Sequence, residues 1–488
     1  MIIVIININK IYHMDSKPNV VNFIGIETEA VPFKPVWETY NNTAVRILEL
    51  VLNSLPNVPT STTRFDKYKI VVSSFLALAQ TVSWKDNGVI SIPKTRTNWS
   101  EFPSVGASII ENVRNDLLEA GYITQVPNSG QRHFWEDEDE VLQWVGIQAL
   151  YTIEDSLYNL EGFTDAEWIE VGRPTVLVGK FESVASKIKR KEQGLRKPRM
   201  PLRKTIEVFG KDYRIASKQV KSLNTFWRQH PLALPPLGNH AQQYTSCATR
   251  IYHDGAMDSG GRYYSSYSNF STQFRLQSKI DGEEIVEVDI NASQPTLFSA
   301  LMGMKMEVGK TWTDLYTDII ASNENLKGLD QPDDLKRKKL KQVAVEIIGT
   351  GNPDKKAPAA TGDLVFSNKF DEYGWYRNQL IRSVPALSLL DPNYLNGSGF
   401  VSFHEAEIMS ATLTALMDLG VVAYPMHDCL IIKKSNKDIG VETYRKTINE
   451  YILNHCKSNN RQQVPIIVPV SIEELNKDKV RLHGSYNG

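Results

Sequence analysis

The stretch EEIVEVDINASQPTLFSAL, residues 283–301, constrains the fold more than any other part of the chain. Ile285, Val286, Val288 and Ile290 make a β-prone run apolar enough for burial, and the chain then turns through polar residues into an apolar helical segment. Asp289 stands at the end of that strand. An isolated charge in such a place is costly, so Asp289 requires a paired or bound cation. A second segment, YPMHDCLII at 424–432, sets His427 and Asp428 between two apolar runs, the pattern of a hairpin with an aspartate at its turn. By itself that dipeptide fits an ordinary turn. Two carboxylates on adjacent strand ends can share a pair of magnesium ions, the arrangement used for in-line phosphoryl transfer.

At 488 residues the chain is long enough for two or three domains and a large buried site. A hydrophobic share of 41%, a charged share of 23% and a formal net charge of -1 describe an ordinary globular protein and name no polyanionic partner. The distribution of charge says more than its sum. Between Lys180 and Lys221 fourteen Lys and Arg stand against four Asp and Glu. That run, which includes Lys189 and Arg190, reads either as a solvated helix face or as a contact for nucleic-acid phosphates, where basic side chains gain affinity by releasing counterions. Three cysteines with no close pair, Cys247, Cys429 and Cys456, argue against a disulfide framework or structural zinc and suit a reducing cytoplasm. The opening MIIVIININKIYHMDS lacks the features of a signal peptide and reads as a loose tail over 1–19, or as sequence upstream of a start at Met14. No run is long enough to span a bilayer.

Between the two aspartates, DDLKRKKLKQVAVEIIGTGN places Arg337 and Lys341 four apart on one helical face, with Val345 continuing it and Gly349 and Gly351 ending the helix. A guanidinium and an ammonium on one face can clamp a triphosphate. Upstream of Asp289, DSGGRYYSSYSNF sets two glycines before Arg262 among aromatics, which suits close backbone approach to a nucleic acid and equally suits a tight loop.

Near the N-terminus, helical periodicity in RFDKYKIVVSSFLALAQTV is followed by the strand GVISIP and by PSVGASIIENVRNDLLEAGYI, where Ser104 is expected to cap a helix carrying Ile110, Val113 and Leu117 on one face. Gly121 stops that helix. Two β-prone runs around Asn128-Ser129-Gly130 predict a hairpin. This order resembles winged-helix DNA-binding domains, including those of replication initiators, and the resemblance implies Ser108, Asn112, Arg114 and Asn115 as groove contacts with Arg132 and His133 on the wing. The acidic EDEDE at 136–140 is expected to mark a solvated boundary. Glu27 and Glu29 in FIGIETEA are similar to the first acidic motif of proofreading exonucleases but lack downstream partners, and read as edge-strand or loop glutamates.

A Gly-Arg loop, an Asp at a strand end before a helix, an Arg-x-x-x-Lys helix and a His-Asp hairpin follow one another in the order found in family A DNA polymerases and the related single-subunit phage-type RNA polymerases. The chain resembles that superfamily over roughly its last 240 residues. DINASQPTLFSAL is similar to the first palm motif, RKKLKQVAVEIIGTG to the fingers helix, FHEAEIMSATLTALMDLG to the palm helix and MHDCLII to the second palm motif. The resemblance implies that Asp289 and Asp428 hold two magnesium ions, with manganese able to substitute. It implies that Arg337 and Lys341 take the incoming triphosphate, with Lys341 also serving the leaving group, and that Arg262 and His427 meet the primer terminus or nascent pair. The chain departs from the pattern at Val345 and Gly349, where the family usually carries an aromatic residue and a tyrosine. Gln294 stands where an acid often excludes a 2'-hydroxyl, and Cys429 replaces the acid often found after His-Asp. The choice of sugar therefore stays open.

The expected architecture is α+β and multidomain: a winged-helix-like DNA-binding domain over 20–150, a basic connector or reduced thumb over 151–250, and a palm-and-fingers core over 251–488. The palm would be an antiparallel sheet with helices and the fingers helical. The expected function is template-directed nucleotidyl transfer on a DNA template and primer with nucleoside triphosphates, in a compact replication protein of a virus or mobile element. RNA polymerase or primase activity on the same core is the alternative, as is a non-catalytic replication or origin-binding protein.

Overall fold

The computed structural model describes residues 31–488 except 83–88, 95–101, 103–104, 128, 131, 137–141, 147–148, 184, 188–189, 191–196, 237–240, 305–314, 359–365, 367–370, 392–396, 464–469, 477–479 and 486–488. Glu27, Glu29, the N-terminal tail, Ser104, Asn128 and Lys189 lie outside the described residues, as do the side chains of Arg132 and His133. The chain forms two compact units, one of residues 1–174, 190–195 and 235–245, the other of 175–189, 196–234 and 246–488. The stretch 151–250 is thus divided between the two units.

In the first unit, α1 (Asn42–Ser54) is capped by the Asn41 side chain, which accepts from the Ala44 amide. It is followed by α2 (Thr62–Val82), β1 (Val89–Ser91), α3 (Ala107–Glu119) and β2 (Ile123–Gln125). Then come β3 (Arg132–Glu136), β4 (Leu142–Gly146) and β5 (Leu150–Ile153). Ile110, Val113 and Leu117 do bury one face of α3, against a core that includes Val72, Phe75 and Leu76 of α2. The N-cap of α3 is Gly106, while Ser104, the expected cap, lies outside the described residues.

Two further expectations change. Among the described residues β2 pairs with β5 and β3 with β4, so the two runs on either side of 128–130 are not partners; residues 137–140 of the acidic run lie outside the described residues. The reason is packing: β5 brings the buried Leu150 and Tyr151 between β1 and β2, giving the order β1-β5-β2. Arg114, expected to be exposed for groove contact, is buried. Its guanidinium bonds Asn115 at 3.1 Å and lies 3.8 Å from Glu111. On that helix Ser108 and Asn115 are exposed and Asn112 is half-buried.

The second unit starts with β6 (Val176–Val178) and the 28-residue helix α4 (Leu202–Gln229). The basic run becomes amphipathic here. Ala216, Val220, Leu223 and Trp227 are buried, while Arg203, Lys204, Lys211, Arg214, Lys218 and Lys221 are exposed. β7 (Thr249–Tyr252) and β8 (Gly260–Tyr264) form a hairpin, with β6 on the far side of β7. After β9 (Glu283–Ile290) and α5 (Ser293–Leu301), α6 (Asp333–Thr350), α7 (Asp371–Ser383) and α8 (Gly397–Asp418) build a helical region. β10 (Ala423–Met426), β11 (Cys429–Lys433), α9 (Lys437–Ser458), β12 (Val470–Leu475) and β13 (Arg481–Ser485) complete the chain.

The antiparallel sheet runs β10-β11-β9-β12-β13, with β9 at its centre. Val286, Val288 and Ile290 of β9 are almost fully buried in a core shared with Ile408 and Met409 of α8 and Ile448 and Ile452 of α9. Each such side chain contributes about 1.5–3 kcal/mol by leaving water. The C-terminal end of α4 is pinned to the same sheet. Trp227 stacks on Tyr424 with centroids 4.8 Å apart and donates through Nε1 to the Ala423 carbonyl at 2.8 Å.

A separate core, with Leu340, Val343, Ile347, Tyr373, Tyr376 and Val401, holds α6, α7 and α8 together. α8 begins at Gly397 because its backbone lies against the end of α6, where a Cβ would overlap the Ile348 carbonyl. Gly351, in the left-handed region at φ 64°, ends α6, whereas Gly349 lies inside the last turn.

Candidate active site

Asp289 is set by register. It pairs with Cys429 across β9 and β11, and Asp428 is the residue just before Cys429, in the His427-Asp428 turn closed by the Met426 and Cys429 pair. The two carboxylates therefore stand on neighbouring strand ends, as expected. His427 takes φ 60°, the left-handed conformation that such two-residue turns need. The Tyr444 hydroxyl on α9 donates to the Asp428 carbonyl at 2.8 Å and fixes the turn. Strand alternation sends Val286, Val288 and Ile290 to the core and leaves Glu287 and Asp289 on the opposite face, where Glu287 faces Glu473 in the β12 register.

The electrostatics follow from that crowding. Burial first, and the Asp428 charge second, push the Asp289 carboxyl up from 3.8 to about 8, with Glu473 adding to the effect. It accepts a hydrogen bond from the Ile290 amide at 3.0 Å. Among the described residues neither Asp289 nor Asp428 has an ion-pair partner within 4.0 Å. Glu287, by contrast, is neutralised by Arg275, whose Nε and Nη2 donate to its two oxygens at 2.7 and 2.9 Å. Burial, followed by the Arg262 charge, lowers the His427 pKa from 6.5 and favours its neutral form. Its Nδ1 is buried without a hydrogen-bond partner among the described residues, as is the Ser471 hydroxyl, whose residue pairs with Asp289.

Among the described residues no group of three or more His, Cys, Asp and Glu is placed to hold a metal ion. Two carboxylates without a cation nevertheless suit magnesium, which keeps several waters and binds through one or two carboxylates together with substrate phosphates. A divalent ion bound there would offset both the burial and the Asp428 charge that raise the Asp289 carboxyl to about 8.

Arg262 lies on β8 beside this turn, and Tyr264 of the same strand meets the His427 ring edge-on at 5.3 Å. The guanidinium is already engaged. Its Nε donates to Glu405 Oε2 at 3.0 Å and its Nη2 donates to the same oxygen. The other Glu405 oxygen accepts from Ser293 Oγ at 2.5 Å. Glu405, on α8, is 2% exposed. Burial raises its pKa and Arg262 opposes that rise. The glycines before Arg262 have a packing role: a Cβ on Gly261, at φ 82°, would lie 2.8 Å from the Tyr252 ring and 3.0 Å from Arg250.

On α6, Lys341, Val345 and Gly349 are exposed and Arg337 is half-buried, so the four share an accessible stripe. The other cations on this helix divide into two kinds, Lys338 being exposed. Lys336 and Lys339 are buried, Lys336 bonding Asp333 at 3.0 Å and Lys339 pairing with Glu372 over the Phe366 and Tyr376 rings. Gln294 is half-buried in the first turn of α5, and Arg190 is half-buried. Glu405, Ser293, Tyr444 and Ser471 were not singled out from sequence. The one available signal was a charged pair, Glu405 and Glu407, inside an otherwise apolar helix.

No helix among the described residues is long and apolar enough to cross a membrane. No family model matches the chain, and no curated protein matches it. Among solved structures, the POL domain of Pol1 from M. smegmatis in complex with DNA primer-template and dNTP aligns with 56% of this chain and 51% of that chain, at 11% identity and a TM-score of 0.31. The aligned part spans about half the length of that domain, and similarity at this level does not establish a shared fold.

Proposed function

We propose that the chain is a template-directed nucleotidyltransferase, a DNA polymerase acting on a DNA template and primer with nucleoside triphosphates. The reading rests on one observation, the register that sets Asp289 opposite Cys429 and beside Asp428 at neighbouring strand ends, with no ion-pair partner for either carboxylate among the described residues. Asp289 and Asp428 would hold two magnesium ions, or manganese in their place. Bound there, the metal lowers the pKa of a 3'-hydroxyl and offsets charge on the departing pyrophosphate.

The chain's own residues supply the remainder. Lys341 and Arg337, on the accessible stripe of α6, bind the triphosphate, and Lys341 adds positive charge at the leaving group. Val345 and Gly349 on that stripe, with Gln294 in the first turn of α5, border the incoming nucleotide. Lys341→Ala is expected to lower kcat/KM for the nucleotide by about ten- to a hundredfold, through a higher KM from lost triphosphate binding and a lower kcat from lost charge at the leaving group. Titrating the nucleotide at saturating primer measures it.

The first unit is read as a winged-helix-like DNA-binding module, supported by the β1-β5-β2 sheet order and by the exposure of Ser108 and Asn115 on α3. Arg132 on β3, with Lys189 and Arg190 of the basic run, would meet nucleic-acid phosphates. Together the two modules fit a compact replication protein of a virus or mobile element.

The test is extension of a labelled primer, and of unprimed single strands, with magnesium and either deoxy- or ribonucleotides. Incorporation by wild type that is lost in Asp428→Ala supports the reading. No incorporation by wild type, or equal incorporation by the variant, overturns it. Ribonucleotide products from unprimed strands would assign the site to RNA or primer synthesis, in keeping with Gln294 and the buried, protonated Cys429 thiol beside the pair.

A further inference from the structure

Arg262 lies on the strand whose Tyr264 meets His427, its charge reaches Asp428, and its ion pair is with Glu405 instead. Its Nε and Nη2 are both spent on Glu405, inside a chain of contacts that joins β8, α8 and the first residue of α5. Asp428 still acts on it electrostatically, behind Glu405, so the guanidinium is within the field of that carboxylate. A buried carboxylate with an arginine on one oxygen and a hydroxyl on the other has a fixed geometry, because both partners would be left unsatisfied by any rotation.

We propose that Glu405 is a positioning residue that withholds Arg262 from the aspartate pair, keeping both carboxylates available to divalent cations. Without Glu405, the guanidinium is drawn to Asp428, the next carboxylate that acts on it, and competes with the metal for it. The proposal rests on the metal-binding part of the reading above, and binding is measured without any turnover, so a failure of polymerase activity leaves this test intact.

The probe is manganese ion alone, with free Mn²⁺ read by its electron paramagnetic resonance signal against the full-length protein at neutral pH. Asp428→Ala defines the signal from this site. Glu405→Gln is expected to weaken Mn²⁺ binding by at least about fivefold, the lower end of ordinary coupling between sites. Glu405→Gln with Arg262→Gln is expected to return affinity to within about twofold of wild type, since the neutral pair is removed as a unit. Arg262→Gln alone, which stays informative where Glu405→Gln does not fold, is expected to bind as tightly as wild type or more so. A purely structural role for Glu405 would weaken binding in the double variant as much as in the single one. That result, unchanged affinity in Glu405→Gln, loss of affinity in Arg262→Gln, or Mn²⁺ binding in wild type that Asp428→Ala does not affect, would each overturn the proposal.

Discussion

Asp289→Asn is expected to melt above wild type at pH 8.5 in the absence of metal, while losing about a thousandfold in nucleotide incorporation. The activity loss follows from removing one of two carboxylates that share the reacting phosphate's cations. The gain in stability follows from linkage. Burial and the Asp428 charge raise the Asp289 carboxyl from 3.8 to about 8, so between those values the folded protein holds a proton that the unfolded chain has released. Protons bound in the folded state exceed those in the unfolded state, so stability falls with rising pH: the contribution is complete below about pH 4 and is lost as pH passes through about 8. Asparagine carries no charge to repel, and removes that loss. The difference should be on the order of 6 kcal/mol at pH 8.5, several degrees in Tm, and should vanish near pH 4. Calorimetric scans of both proteins with chelator across pH 4–9 measure it.

The second large effect belongs to the sheet under the site. Arg275 is held by Glu287 through two hydrogen bonds, by the Phe270 carbonyl at 2.6 Å and by Thr272 at 3.2 Å. Both members of the ion pair are buried. Arg275→Ala would leave Glu287 charged and uncompensated two residues from Asp289, and is expected to destabilise the second unit by about 3–5 kcal/mol. Arg275→Met with Glu287→Leu removes both charges and should cost far less, because a buried pair replaced by apolar groups of similar size is often close to neutral. Urea midpoints of the single and double variants measure the difference. Equal losses in the two would mean that packing, not the stranded charge, dominates at this position.

Much of this centre was legible in the sequence. The strand before Asp289 declared itself through Val286, Val288 and Ile290, and the His427-Asp428 turn through the apolar runs on either side. The stripe of Arg337, Lys341 and Val345 followed from helical spacing alone. What escaped was pairing between distant segments. Nothing local says that Glu405, more than a hundred residues from Ser293 and Arg262, bonds to both. Spacing could not separate Lys341, exposed, from Lys339, buried against aromatic rings, because a helix of alternating cations looks solvated until its neighbours are known. The N-terminal hairpin was misplaced for a similar reason. Two β-prone runs beside a turn signal look like partners, yet β2 takes β5, whose buried Leu150 and Tyr151 complete the core. Arg114 looked like a surface contact because a charged residue on a helix usually is one, and here the turn of α3 carries it inward.

That Asp289 and Asp428 form one site lacking a cation is tested most directly by melting the wild-type protein from pH 6 to pH 9 with chelator and again with magnesium. Tm is expected to fall across this range with chelator, since the raised Asp289 carboxyl loses its proton beside Asp428, and magnesium is expected to abolish the fall. A Tm independent of pH, or a fall that magnesium leaves unchanged, would contradict it.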